Sequence, residues 1–327
     1  MTNINSTVAL PGTQIAVPPI ALGTMYWGTD TTQAETDRLL DLAVERGATF
    51  LDTANNYAFW RGSGIGDESE MAIGSWLKSR GATVRDQVTL ATKVGARPAV
   101  SGGGFETALG LRPAAVAAQL RDSLSRLRTD YVDVLYAHID DLDMPMLEIL
   151  GGFQEMVDQG LVRAIAASNL TAPRLREAVE MSKQEMGTGY VGLQNRFTYL
   201  TPSPGVDLTP HVLLDDEVAA VASVEDVQLF GYLSLLGGAY TRDDRPLPDA
   251  YQHAGTRHAL AVLGEVADGA NLDPGQAVLA WMGQREQSVI PIVGVSRPEH
   301  LESAIEAATA VLPAEAIAAL DTARGPH

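Results

Sequence analysis

Residues 131–169, YVDVLYAHIDDLDMPMLEILGGFQEMVDQGLVRAIAASN, decide the fold. The run 131–138 is apolar with little polar alternation, as expected of a strand buried on both faces of a parallel sheet. Residues 145–160 follow as a helical pattern, and 162–168, VRAIAAS, are a second strand of the same kind. The same unit recurs along the chain. Strand-like runs stand at 20–25 (IALGTM), 49–54 (TFLDTA), 88–94 (VTLATKV), 191–195 (VGLQN), 227–234 (VQLFGYLS) and 289–296 (VIPIVGVS). Helical patterns separate them. Residues 31–47 begin after threonines that can cap a helix and stop at Gly47, and 111–130 carry Pro113 near the start, where a missing N–H costs nothing. Eight strands alternating with helices over about 280 residues predict a single closed (β/α)8 barrel of the TIM type. A doubly wound sheet is the rival, weakened because no GxGxxG follows the first strand. Residues 7–20, TVALPGTQIAVPPI, have Pro11–Gly12 as a turn and predict an N-terminal hairpin closing the barrel bottom.

The 327 residues, 46% hydrophobic and 20% charged, suffice for a large core. They are expected to form one barrel domain, with loose ends at about 1–6 and 323–327. There is no cysteine, hence no disulfide or thiolate metal site. The N-terminus lacks the pattern of a secretory signal, and no run of 18 apolar residues occurs. The formal net charge of −18 repels nucleic acid and anionic lipid. The expected protein is cytoplasmic and monomeric, without nucleic-acid or membrane partners, and its ligand is a small molecule. A phosphate on that ligand needs helix N-termini and a few arginines to hold it against the field.

In such barrels the active site lies at the C-terminal strand ends. Three successive runs end in ionisable groups, Asp52, Lys93 and His138, and Tyr57 follows the first of them. Singly, each has a plainer explanation: a turn residue, a solvated lysine, a hydrogen-bonded core histidine, a loop cover. Together they point into one space. A tyrosine with an ordinary pKa near 10 is a poor acid at neutral pH, and a nearby ammonium lowers it. Lys93 supplies that charge, Asp52 holds Lys93, and His138 orients a substrate oxygen. The set suits proton delivery to a carbonyl oxygen becoming an alkoxide. It has no HExxH and no paired histidines at metal-ligand spacing. Later strand ends offer Ser168, Asn169, Gln194 and Tyr232, small polar groups and an aromatic ring suited to a carboxamide on a planar heterocycle. Residues 294–302, GVSRPEHLE, join a glycine, a hydroxyl, an arginine and a helix start, a pattern fit for phosphate or for an ordinary strand–turn–helix.

LDTANNY (51–57), LATKVG (90–95), LRDSLSRLRTDYVDVLYAHIDD (120–141), GLVRAIAASN (160–169) and VIPIVGVSRPEHLE (289–302) resemble, in order and spacing, motifs of the aldo-keto reductase superfamily over about residues 15–310. The resemblance implies a barrel that reduces aldehydes and ketones with a nicotinamide cofactor, NADP(H) by preference with NAD(H) the alternative. It implies that Asp52, Tyr57, Lys93 and His138 are a catalytic tetrad, with Tyr57 the acid in reduction and the base in oxidation. Gly23 and Thr24 then lie beside the cofactor. Ser168, Asn169 and Gln194 bind its carboxamide, and Tyr232 stacks on its ring. Ser234, Leu235, Gly237 and neighbours to Gly238 contact its pyrophosphate. Gly294, Ser296, Arg297 and His300 hold the 2′-phosphate, with Arg297 the main cation. The chain departs from the family at Leu233 and Ser234, where Ser-Pro is common, at Ser303 and Ala304, where Glu-Asn is common, and at His300.

Phe59 and Trp60, after the tetrad tyrosine, and Met25, Tyr26 and Trp27, after the first strand, are placed at the rim. There Met25, Trp27, Phe59 and Trp60 wall a substrate pocket for a ring or sugar, or simply pack the loops. Residues 94–113 form a long Gly-rich connection of the kind that acts as a lid or substrate loop. Two other functions stay open from the residues alone: a cofactor-binding sensor or regulatory subunit, and a Schiff-base enzyme with Lys93 as nucleophile.

Overall fold

A two-stranded antiparallel hairpin, β1 (Val8–Ala9) and β2 (Ala16–Val17), opens the computed structural model, which describes residues 2–61, 64–100, 102–187 and 189–325. Eight parallel strands follow: β3 (Ala21–Gly23), β4 (Phe50–Asp52), β5 (Thr89–Val94), β6 (Val132–Ala137), β7 (Val162–Ser168), β8 (Gly192–Arg196), β9 (Gln228–Tyr232) and β10 (Val289–Gly294). They pair in chain order, and β10 closes on β3 with Gly294 opposite Gly23. This is the expected (β/α)8 barrel with its hairpin.

Two cores result. Inside the barrel, Phe50, Tyr136, Phe230 and Ile290 pack with small residues such as Ala91, Ala164 and Ala166, and Leu10 and Val17 of the hairpin plug the bottom. Outside, strand residues of the opposite parity meet the helices: α1 (Gln33–Arg46), α2 (Glu68–Arg80), α3 (Ala82–Arg85), α4 (Pro113–Leu127), α5 (Met146–Asp158), α6 (Ala172–Met181), α7 (Asp216–Val224), α8 (Ala254–Ala270), α9 (Pro274–Gln284), α10 (Pro298–Thr309) and α11 (Ala314–Arg324). Helix α1 starts in a capping box between Thr32 and Glu35 and ends at Gly47 with φ 79°. A Cβ on Gly47 would stand 2.5 Å from the Ile4 carbonyl oxygen, so glycine is required there.

Helices α7, α9 and α11 were not expected from the helical patterns in the sequence. In α9 nearly every residue from Gly275 to Met282 is buried, so no polar face marks it. Near the ends, Ile4 is buried and donates its N–H to the Arg46 carbonyl, and Arg324, the last residue of α11, is buried. Met1, Pro326 and His327 lie outside the described residues, as do Gly62, Ser63 and Ser101 of the two long loops. Among the described residues no single helix is long and apolar enough to cross a membrane.

The strand ladder continues past the strand ends. Thr24 N–H donates to the Asp52 carbonyl, Asn55 to Lys93, His138 to Val94 and Asn169 to Gln194. The groups at the mouth are thus carried on hydrogen-bonded backbone.

Candidate active site

Asp52, Lys93 and Tyr57 form one bonded unit. Lys93 is fully buried and its ammonium donates to Asp52 Oδ2 at 2.5 Å, to Tyr57 Oη at 2.7 Å and to the Thr53 carbonyl at 2.9 Å. An ammonium has three donors, and all three are used. A lysine so held has no lone pair to offer a carbonyl carbon, which removes the basis for the Schiff-base alternative. Tyr57 Oη donates to Asp52 Oδ2 at 3.2 Å, and Gln194 Nε2 donates to Asp52 Oδ1 at 2.9 Å.

Burial, then the Asp52 carboxylate, push the Tyr57 phenol well above its usual value. The sequence had suggested a lowering by Lys93. The difference is physical: at 2.5 Å Lys93 and Asp52 make a compact ion pair, and a phenol touching both members feels little net charge, so desolvation wins. Tyr57 therefore stands ready as a proton donor. Burial likewise pulls Lys93 below the usual lysine value, opposed by Asp52 and Glu70. Glu70, fully buried on α2, accepts from Thr92 Oγ1 at 2.5 Å and Arg126 Nε at 2.7 Å, next along the chain from Lys93.

The His138 ring meets the Tyr57 ring edge to face, centroids 5.9 Å apart. Burial, Lys93 and His211 hold its pKa well below 6.5, so the imidazole is neutral, and its buried Nδ1 has no hydrogen-bond partner. A neutral imidazole has one N–H to offer.

Beside the tetrad, Ser168 donates to the Gln194 carbonyl at 2.7 Å. Asn169, at φ 59°, donates to the His138 carbonyl and accepts from the Tyr232 hydroxyl at 2.8 Å and from Val212 N–H at 3.1 Å. These amide and hydroxyl groups converge as a carboxamide bed requires. Thr24 is fully buried, its hydroxyl bonded to Ser69 and the Asp52 carbonyl, and Gly23 lies opposite Gly294. Farther along, Leu233, Leu236, Gly237 and Gly238 all have positive φ. Such a curl turns backbone N–H groups into a concavity suited to a diphosphate. The Ser234 hydroxyl is turned inward to the Gly231 carbonyl, leaving only backbone there, and Leu235 and Gly237 continue the curl. Arg297 caps α10 without a side-chain cap bond, and Ser296 Oγ lies 3.4 Å from His300 Nδ1. Arg297 and Arg242 both depress the His300 pKa, after burial, and the Arg242 guanidinium is itself bonded to Asp244 at 2.9 and 2.6 Å. Arg242 was missed in the sequence because it lies far from 294–300 in the chain, and only the Gly238 curl brings it in. A nicotinamide dinucleotide fits this donor set. Ala304, one of the departures from the family, is buried in α10.

The expected pocket wall is partly rearranged. Trp27 is not at the open rim: it is 1% exposed, and its indole N–H donates to the Val295 carbonyl at 2.8 Å, pinning the first loop to the last strand. Large apolar rings are buried when a backbone acceptor satisfies their one polar atom. Met25 is half-buried, and Tyr26 receives Arg61 over its ring. Phe59 and Trp60 meet edge to face, ring centroids 5.0 Å apart. The Gly-rich connection folds back on itself through Ala99–Thr107 and Leu109–Arg97 backbone bonds and carries Phe105 against Phe59 at 5.7 Å. Phe105 in turn meets His211 at 6.4 Å, and His211 meets Tyr232 at 5.8 Å, with Nδ1 3.1 Å from the Tyr232 hydroxyl. Phe105 and His211 belong to the wall but were not singled out in the sequence. They sit in irregular loops, and no local pattern aims them.

Several known proteins resemble the chain. An uncharacterized oxidoreductase YrpG of Bacillus subtilis is 28% identical, aligned over 90% of this chain and 88% of that protein. Norsolorinic acid reductase stcV of Emericella nidulans is 28% identical over 91% and 76%. Aryl-alcohol dehydrogenase GME11368 of Pestalotiopsis microspora is 27% identical over 93% and 78%. The crystal structure of a thermostable aldo-keto reductase, Tm1743, superposes with a TM-score of 0.74 over 97% of this chain and 99% of that one, at 24% identity, and shows the shared fold. Residues 19–324 match the Aldo/keto reductase family as a whole. The chain is an oxidoreductase of carbonyl compounds in type and belongs to the aldo/keto reductase family.

Proposed function

We propose that the chain acts as one cytoplasmic, monomeric domain that interconverts an aromatic or cyclic aldehyde or ketone and its alcohol with NADP(H), NAD(H) being the weaker alternative. The observation that carries this reading is the Lys93 ammonium bonded at once to Asp52, Tyr57 and Thr53, with His138 against the tyrosine ring. When bound, the nicotinamide supplies or accepts the hydride. The protein handles the oxygen and its proton. His138, neutral, donates to the carbonyl oxygen and polarises it. Tyr57 gives its proton to that oxygen as charge develops, and Lys93 stabilises the phenolate left behind. In oxidation the same phenolate takes the alcohol proton. Ser168, Asn169 and Gln194 would hold the carboxamide, Tyr232 would lie against the ring, and the 233–238 curl with Arg242, Arg297 and His300 would hold the phosphates. Phe59, Trp60, Phe105 and His211 favour a flat apolar substrate, and one of the relatives is named an aryl-alcohol dehydrogenase.

The test is Tyr57→Phe. NADPH oxidation with a panel of aryl aldehydes is expected to fall by about two to four orders of magnitude, while cofactor binding, followed by fluorescence, is kept. Full turnover in the variant rules the assignment out.

A further inference from the structure

One cation at the barrel mouth has no role in the chemistry above. Arg196 ends β8 two residues after Gln194, so the two side chains leave the same face of the strand. Gln194 reaches Asp52 in the tetrad, and Arg196 stands one step farther out, about 7 Å along the strand. Its partner in the next strand is Tyr232. The side chain is half-buried. Its Nε donates to the hydroxyl of the fully buried Tyr251 at 3.0 Å, and its guanidinium carbon lies 5.5 Å from that ring. Among the described residues it has no carboxylate within salt-bridge distance, and its two terminal nitrogens have no protein acceptor. The chain carries 41 acidic residues against 23 basic ones, so a half-buried guanidinium left without a carboxylate is a placed charge.

Arg196 stands beside the aromatic wall: its N–H donates to the Val212 carbonyl, next to His211, and its strand partner Tyr232 has its hydroxyl 3.1 Å from His211 Nδ1. The Arg196 charge accordingly acts on both His211 and Tyr232. It is not among the charges acting on His300 at the phosphate end, where Arg297 and Arg242 act. His211 also belongs to the aromatic wall, between Phe105 and Tyr232.

We propose that Arg196 is an anion-recognition residue for the substrate, so that the preferred carbonyl compound carries a carboxylate remote from its reacting carbon. The planar guanidinium offers a bidentate fork to the carboxylate, and Tyr251 fixes its plane. The aromatic wall then spans the distance between the acid group and the carbonyl. This inference rests on the carbonyl-reductase reading, and its test separates the two.

Two probes differ in one charge: 4-formylbenzoate and its methyl ester. The ratio of their kcat/KM values, acid over ester, is measured with NADPH in the parent chain, Arg196→Met and Arg196→Lys. The ratio is expected to fall roughly ten- to a hundred-fold in Arg196→Met, through KM rather than kcat, with partial recovery in Arg196→Lys. Terephthalate binding by calorimetry gives a readout independent of turnover and is expected to weaken by a similar factor in Arg196→Met. The NADPH dissociation constant is expected to stay within about two-fold. Thermal unfolding of both variants checks that they fold. An unchanged ratio together with unchanged terephthalate binding overturns the proposal. So does a loss of NADPH affinity as large as the loss of acid binding, which assigns Arg196 to the cofactor diphosphate instead. Turnover of neither aldehyde, with terephthalate bound through Arg196, sinks the reductase reading and leaves the anion site standing.

Discussion

Breaking the Lys93–Asp52 pair one partner at a time, and then removing both, measures how the tetrad is held. Both side chains are at most 1% exposed and the N–O distance is 2.5 Å. At an effective dielectric constant of 20, the Coulomb energy at that separation is about 7 kcal/mol. Desolvation of two buried ions consumes much of it. Lys93→Met leaves the Asp52 carboxylate buried with Gln194 and Tyr57 only, and Asp52→Asn leaves the ammonium without its countercharge. Each single change is expected to cost about 3–5 kcal/mol of stability. The double variant has no uncompensated charge, so its loss is expected to fall short of the sum of the singles by at least about 2 kcal/mol. Urea unfolding followed by the fluorescence of the buried Trp76 and Trp281 measures all three. All three variants are expected to lose turnover. Strictly additive losses would refute the claim that the pair is a coupled, desolvated unit.

The pH response follows from the same burial. His138 is held neutral and Tyr57 protonated, so the kcat of carbonyl reduction is expected to show no inflection near pH 6.5 and no alkaline fall below about pH 10. A titration at 6.5 in the profile contradicts this. Stability has the opposite sensitivity. His138, His211 and His300 have folded pKa values below 6.5, so below that pH the unfolded chain binds more protons than the folded one. The histidine contribution is present above pH 6.5 and is lost progressively as pH falls from 6.5 through the lower folded values, readable as a falling urea midpoint. At the phosphate end, Arg297→Ala is expected to weaken NADPH binding roughly ten- to a hundred-fold while sparing NADH. An equal loss on both cofactors would remove Arg297 from the 2′-phosphate.

Apolar runs of strand length placed all eight barrel strands within two residues at either end, with 20–25, 49–54, 131–138, 227–234 and 289–296 at least two residues shorter as strands. The trimmed residues at their C-terminal ends, such as Thr24 and Leu233, are bent into the mouth. A strand buried on both faces has to be uniformly apolar, so composition alone marks it. Seven helices with a polar face were equally legible, but α7 and α11 were missed although each has an exposed face. Helix α9 was missed because burial all around erases the 3.6-residue period that betrays a surface helix.

Asp52, Tyr57, Lys93 and His138 were legible because parallel strands of a barrel all end on one side, so ionisable residues ending three successive apolar runs are brought to one mouth. That local order determined which groups meet. It did not determine how their charges settle. The raised phenol of Tyr57 depends on desolvation and on the 2.5 Å contact between Lys93 and Asp52, both products of closure of the barrel. Nor does the chain order show that Trp27 turns inward to the Val295 carbonyl, that Arg242 joins Arg297, or that Phe105 and His211 complete the wall. Residues in strands inherit their direction from the pleat, while residues in loops take theirs from whatever the closed barrel brings against them.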